Sequence, residues 1–372
     1  MSGIEDHTSD DAPVSTGGVR ERLLSRLTRW LDDNITLPLD RLRFRASVRH
    51  LSGPRHNQTS REAVTVVALV RDGSYYLDVF LAHYRALGVA HFVFCDTGSS
   101  DDTLTRLALA PDVTVLQSRL PWGRFENMFR GYAASNFCAD RWCLFADMDE
   151  ILEFEGQEQL GLSGLVGYLD RHGYTAMMAQ MLEMFPEAPL RSVAQLSYPE
   201  VQQTFCHYDI TAVRAVPYHD ASTGLEFFLT QNELPDSTEP KMQFGGIRGA
   251  VFAERCCLSK HPLVYVGDGV IPAVHPHLST GVKVADTMAV LKHYKFANDP
   301  MARDQASLST SAISHGEDAL RVAGFAASPD LTLWSPAALR YDRPQAGSET
   351  GPEQLRKAGF LRVSPRYLAE LN

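Results

Sequence analysis

The chain has 372 residues, 44% hydrophobic and 22% charged, with a formal net charge of -10 at pH 7. That is globular composition, long enough for one large domain or two smaller ones, and the acidic balance argues against nucleic-acid binding as the main task. No run of about 18 apolar residues marks a transmembrane helix, and the opening MSGIEDHTSDDAPVSTGG lacks the basic-then-apolar order of a secretory signal.

In chain order, residues 1–18 are polar, acidic and Gly/Ser/Thr-rich and read as a disordered tail. Residues 19–60 read as a basic, amphipathic helical extension: Val19, Leu23, Leu24, Leu27, Trp30 and Leu31 share a helical face, and nine Arg stand against Glu21, Asp32, Asp33 and Asp40. Such a segment fits packing against the main domain with a solvated basic face. It also fits peripheral contact with an anionic lipid surface, the inner face of the membrane for a cytoplasmic protein. From residue 63 the pattern becomes regular. VTVVALV (64–70), HFVFC (91–95), VTVL (113–116) and RWCLFA (141–146) are strands; SYYLDVFLAHYRALG and RFENMFRGYAASNF are helices, and Ser100 or Asp101 caps a short helix through 109. Strands alternating with helices predict an α/β fold with a mainly parallel sheet.

Beyond 150 the reading is coarser. YTAMMAQML (174–182) is a strand, 184–245 resembles a partly irregular insertion, and FGGIRGAVF, LSKHPLVYVG, AVHPHLS and AVLKHYKF form a second apolar-polar series. Residues 299–372 read as a helical, then polar, extension. The six cysteines show no CxxC pair and no zinc spacing, and Cys95 and Cys143 read as core thiols in a reducing cytoplasm.

The strand RWCLFA ends on Asp147, Met148, Asp149 and Glu150. A buried carboxylate is costly unless paired or metal-bound, so these acids either face water or meet a cation. Ligands of parallel sheets bind beyond the carboxyl ends of the strands. RDG (71–73), DTGSSDD (96–102) and DMDE (147–150) all fall there. Two Asp one residue apart suit a hard divalent cation, Mn²⁺ or Mg²⁺, completed by substrate phosphates. A bare DMDE is also what a solvated acidic turn looks like.

The series VVALVRDGSYYLDVFLAHYRALGVAHFVFCDTGSSDDTLTRL followed by DRWCLFADMDEILEF resembles GT-A-fold glycosyltransferases, the family 2-like and family 92-like groups most closely. The resemblance covers 63–155 well and 241–297 loosely, and it departs at Gly73, where many relatives carry Glu. It implies a GT-A domain over 61–298, with a nucleotide-binding half (61–155) and an acceptor half (156–298). It further implies that Asp96 meets the nucleotide, Asp101 shapes its turn, Arg71 approaches the phosphates, Asp147 contacts ribose or metal, and Asp149 holds the metal. A late histidine often completes such a metal; among His261, His275, His277 and His293, His275 is favoured because it follows a Val/Tyr-rich strand and a GDG turn. Lys260 and Arg248 are candidate phosphate partners. A general base is needed for the acceptor hydroxyl, and Glu183, after the strand ending at Leu182, is the first candidate. Glu150, Asp209 and Glu233 remain open.

The expected activity is metal-dependent transfer of a sugar from a nucleotide-sugar donor, uridine diphosphate sugars being the class the resemblance favours, to a glycan, lipid-linked or surface-polysaccharide acceptor, with a lean toward inversion. The alternative is a non-catalytic nucleotide-sugar or carbohydrate-binding scaffold on the same fold.

Overall fold

A computed structural model describes residues 36–235, 239–310, 316–341 and 351–371. The chain divides into two compact units, residues 1–46 and 47–372. The described part of the first unit belongs to a helix, Leu37–Ser47, with Phe44 buried and Leu39 and Leu42 exposed. The predicted tail and the Leu23–Leu31 face lie outside the described residues.

In the second unit the strands are β1 (Arg49–Ser52), β2 (Thr65–Val70), β3 (His91–Asp96), β4 (Val113–Gln117), β5 (Trp142–Phe145), β6 (Glu150–Glu153), β7 (Ala176–Glu183), β8 (His207–Tyr208), β9 (Val213–Pro217), β10 (Lys241–Gly245), β11 (Ser259–Tyr265), β12 (Ile271–His275), β13 (Leu278–Thr280), β14 (Val284–His293) and β15 (Leu339–Arg340). Nine of them form one sheet in the order β1-β4-β3-β2-β5-β11-β7-β14-β6. β2, β3, β4, β5, β7 and β14 run one way, and β1, β11 and β6 run against them. The fold is α/β with a large, mostly parallel sheet flanked by helices, as the alternation of elements predicts.

Every residue of β2, β3 and β4 is buried. Strands covered on both faces have no use for polar alternation, which is why they read as continuous apolar runs. β2 pairs in parallel with β3 from Thr65↔His91 to Val70↔Asp96, and with β5 from Thr65↔Cys143 to Val67↔Phe145. The chain runs from β2 to β3 on one side and returns to β5 on the other. The crevice between the loops after β2 and β5 is therefore the topological switch point of the sheet.

Three features refine the predicted elements. Residues 49–52 are not helical extension but an edge strand antiparallel to β4, and Asn57 ties the following loop to the Thr65 hydroxyl and the Phe137 carbonyl, both at 2.8 Å. The acids of 147–150 lead directly into β6, which crosses to the far edge and pairs with β14. The segment 299–372 contributes core side chains, among them Phe325, Leu355, Phe360 and Tyr367. No helix among the described residues is long and apolar enough to cross a membrane.

Candidate functional site

The loops after β2 and β3 are fastened into one platform. Asp72, at φ 50°, accepts at Oδ1 from the Ser100 amide (2.6 Å), the Ser100 hydroxyl (3.1 Å) and the Asp101 amide (3.2 Å). In return Asp101 accepts from the amides of Ser74 (3.1 Å) and Thr103 (3.0 Å), and the Ser99 hydroxyl accepts from the Asp72 amide at 2.9 Å. Asp96 is fully buried. Its carboxylate accepts from the Gly98 and Ser99 amides (2.9 and 3.0 Å) and from Gln117 Nε2 (2.8 Å), so it builds the turn from beneath. Arg71 is exposed at the lip of the platform. Gly73 is dictated by packing: a Cβ there would stand 2.5 Å from Val70 Cγ2.

The acids after β5 meet cations rather than water alone. Asp147 accepts from Arg130 Nη2 at 3.0 Å and from Lys260 Nζ at 2.8 Å. Burial alone would raise its pKa; Lys260 and Arg130 override that and hold the carboxyl far below the usual range. Arg130, buried in the helix Trp122–Phe137, also pairs with Glu126 at 3.1 Å. Lys260 bonds Glu150 as well. Burial raises the Glu150 carboxyl above its ordinary value, with Asp147 and Asp149 adding to it and Lys260 only partly offsetting it. Lys260 and Arg248, read from sequence as phosphate partners, are thus already matched to carboxylates. The Arg248 Nε lies 2.6 Å from Glu183 Oε1, and its Nη1 bonds Glu254 at 3.0 Å.

Asp149 faces another group. Its Oδ2 lies 3.5 Å from His293 Nε2, while His293 Nδ1 is 2.9 Å from Glu183 Oε1. All three residues stand at strand ends on one edge: β5 leads into Asp149, β7 ends at Glu183 and β14 ends at His293. Burial would lower the imidazole pKa, but Glu183 and Asp149 raise it to about 9. The Glu183 carboxyl, which burial would raise, is held down to about 2 by Arg248 and His293. Burial likewise opposes ionisation of Asp149; His293, then Lys295 and Arg303, overcome it and keep the carboxyl well below the usual range.

Glu183 is buried, and its Oε2 is buried with no hydrogen-bond partner. A general base must reach the proton it removes. Glu183, the expected base, is instead seen engaged by Arg248 and His293. His275 sits on β12 beside His277 and Phe228, in a cleft that Arg130, Asp147, Glu150 and Lys260 also line. Among the described residues, no three His, Cys, Asp or Glu side chains form a group able to hold a metal ion. The expected trio of Asp147, Asp149 and His275 is not assembled, because both Asp147 oxygens are engaged by cations. Asp149 and His293 instead face each other at 3.5 Å, with Glu183 on the far ring nitrogen.

Sequence reading missed Arg130, whose one cue is the Glu126/Arg130 spacing of a helical ion pair, and did not favour His293 over the other histidines. Compared with known proteins, the chain matches no family model, and no curated protein is similar to it.

Proposed function

We propose that this chain is a cytoplasmic glycosyltransferase that moves a sugar from a nucleotide-sugar donor, uridine diphosphate sugars first among them, to a hydroxyl of a glycan, lipid-linked or surface-polysaccharide acceptor, with inversion. The observation that carries the reading is the placement, at the carboxyl ends of the neighbouring strands β2 and β5, of the Arg71/Asp72–Asp101 platform and of Asp149 with its His293–Glu183 pairing. The platform offers a rigid seat for a nucleotide, with Asp96 fixing the turn and the exposed Arg71, 4.0 Å from Asp72, able to swing to a phosphate. Asp149 and His293 would hold Mn²⁺ or Mg²⁺ together with phosphate oxygens of the donor, and such an ion neutralises the charge that builds on a departing diphosphate. Glu183 keeps the imidazole aimed at Asp149, and Arg130 and Lys260 hold Asp147 ionised beside the cleft. In the described part of the N-terminal helix, exposed Leu39 and Leu42 alternate with Arg41, Arg43 and Arg45, which supports contact with an anionic lipid surface.

The saturation of Asp147 by two cations favours one other reading, a non-catalytic nucleotide-sugar-binding scaffold. Hydrolysis of nucleotide sugars with Mn²⁺ and no acceptor separates the two. The wild type is expected to turn over, and Asp149→Ala to lose turnover while melting within a few degrees of wild type. Full activity in Asp149→Ala sinks the assignment, and an inactive wild type across a donor panel favours the scaffold.

A further inference from the structure

Most cations near the acidic edge are matched. Arg130 has Asp147 and Glu126, Lys260 has Asp147 and Glu150, Arg248 has Glu183 and Glu254, and Arg321 has Asp304 and Glu254. Two are not. Lys295 makes no ion pair and no side-chain hydrogen bond among the described residues, and it is only partly exposed. Its place is fixed by its neighbour, since the Tyr294 amide donates to the Asp149 carbonyl at 2.9 Å. Arg303 donates to the Tyr76 hydroxyl at 2.7 Å and to the Lys295 carbonyl at 2.5 Å, both neutral acceptors, and it too has no ion pair among the described residues. Tyr76 lies in the first turn of the helix Ser74–Ala86, immediately after the Arg71–Gly73 loop. Arg303 therefore links the switch-point loop to the segment that carries His293.

Asp149 is the carboxylate both cations sense, but it is paired with His293, so two half-buried cations share one counter-charge that already has a partner, and that is costly. A fold holds them there at a gain only when an anion arrives. An ammonium beside a guanidinium with unused donors suits oxygens that carry more than one negative charge, as phosphate groups do. We infer that Lys295 and Arg303 form the subsite for the diphosphate of the donor, an assignment that rests on the nucleotide-sugar reading above.

The test is calorimetric titration of the intact chain with inorganic pyrophosphate, uridine diphosphate and uridine, in EDTA so that no metal contributes. Both phosphate compounds are expected to bind, and Lys295→Met to weaken each by about tenfold or more, with Lys295→Arg recovering most of the affinity and uridine unaffected. The unliganded Lys295→Met protein is expected to melt at or above the wild-type temperature, because an unpaired charge has gone. Affinities within about twofold of wild type in both Lys295→Met and Arg303→Gln overturn the subsite, as does a loss of binding accompanied by a lower melting temperature, which marks a structural role. Binding of pyrophosphate but not of uridine diphosphate upholds the subsite and overturns the nucleotide-sugar reading. Binding of neither overturns the subsite.

Discussion

Replacing Lys260 by Met tests whether the acidic turn is held by cations. The substitution keeps the apolar stem and removes the ammonium that joins Asp147 to Glu150. Asp147 retains Arg130, but Glu150, with a side chain 1% exposed, loses its partner. Breaking a buried ion pair from one side costs about 3–5 kcal/mol. The lower end applies here, because the Glu150 pKa is already raised and the carboxyl escapes part of the penalty by taking a proton. With an unfolding entropy of about 2.1 cal/mol/K per residue over roughly 325 residues, about 3 kcal/mol corresponds to a melting temperature lower by about 4 °C. Adding Glu150→Gln is expected to recover at least half of that loss, since the orphaned carboxylate causes it. Its sign with pH is also fixed: as pH falls, the unpaired Glu150 protonates and the penalty shrinks, so the gap between Lys260→Met and wild type is wider at pH 8 than at pH 5. Calorimetric melts of the two single variants and the double variant at both pH values measure this. A Lys260→Met protein that melts with wild type, or a loss as large in the Glu150→Gln background as alone, refutes the reasoning.

His261 is buried, with Nε2 3.0 Å from the Tyr218 hydroxyl and Nδ1 accepting from the Ser279 amide at 3.3 Å, and burial pulls its pKa down to about 4. The unfolded chain takes up this proton below about pH 6.5 and the folded chain does not, so its contribution is intact above that pH and falls by up to about 3 kcal/mol as pH drops toward 4; urea midpoints against pH should show the slope, and His261→Gln should flatten it. Gly73→Ala is expected to lose about 1–3 kcal/mol in thermal melts through overlap with Val70, and a neutral result refutes the packing account. Asp72→Ala should speed amide exchange at Ser100 and Asp101 and leave the global melt nearly unchanged, because its three accepted bonds are local and exposed. The intact chain should sediment with phosphatidylserine vesicles, and Leu39→Ser with Leu42→Ser should release it; co-sedimentation that ignores both substitutions removes the helix from that role.

The sequence by itself determined the alternation of strands and helices, the burial of β2 to β5, and the edge of the sheet at which the acids gather. Those features are local: an apolar run, a helical period and a turn composition are each written in fewer than twenty adjacent residues. It also narrowed the acids after β5 to two outcomes, water or a cation. Which cation arrives is not local. Lys260 reaches Glu150 across 110 residues of chain, and Glu183 reaches His293 across another 110. Four histidines with similar surroundings in sequence are separated only when β14 is laid beside β7 and brings His293 to Asp149. Glu183 reads as a free carboxylate beyond a strand until Arg248 and His293 close over it. The contrast between matched and unmatched cations is likewise tertiary, because composition counts charges and only packing pairs them.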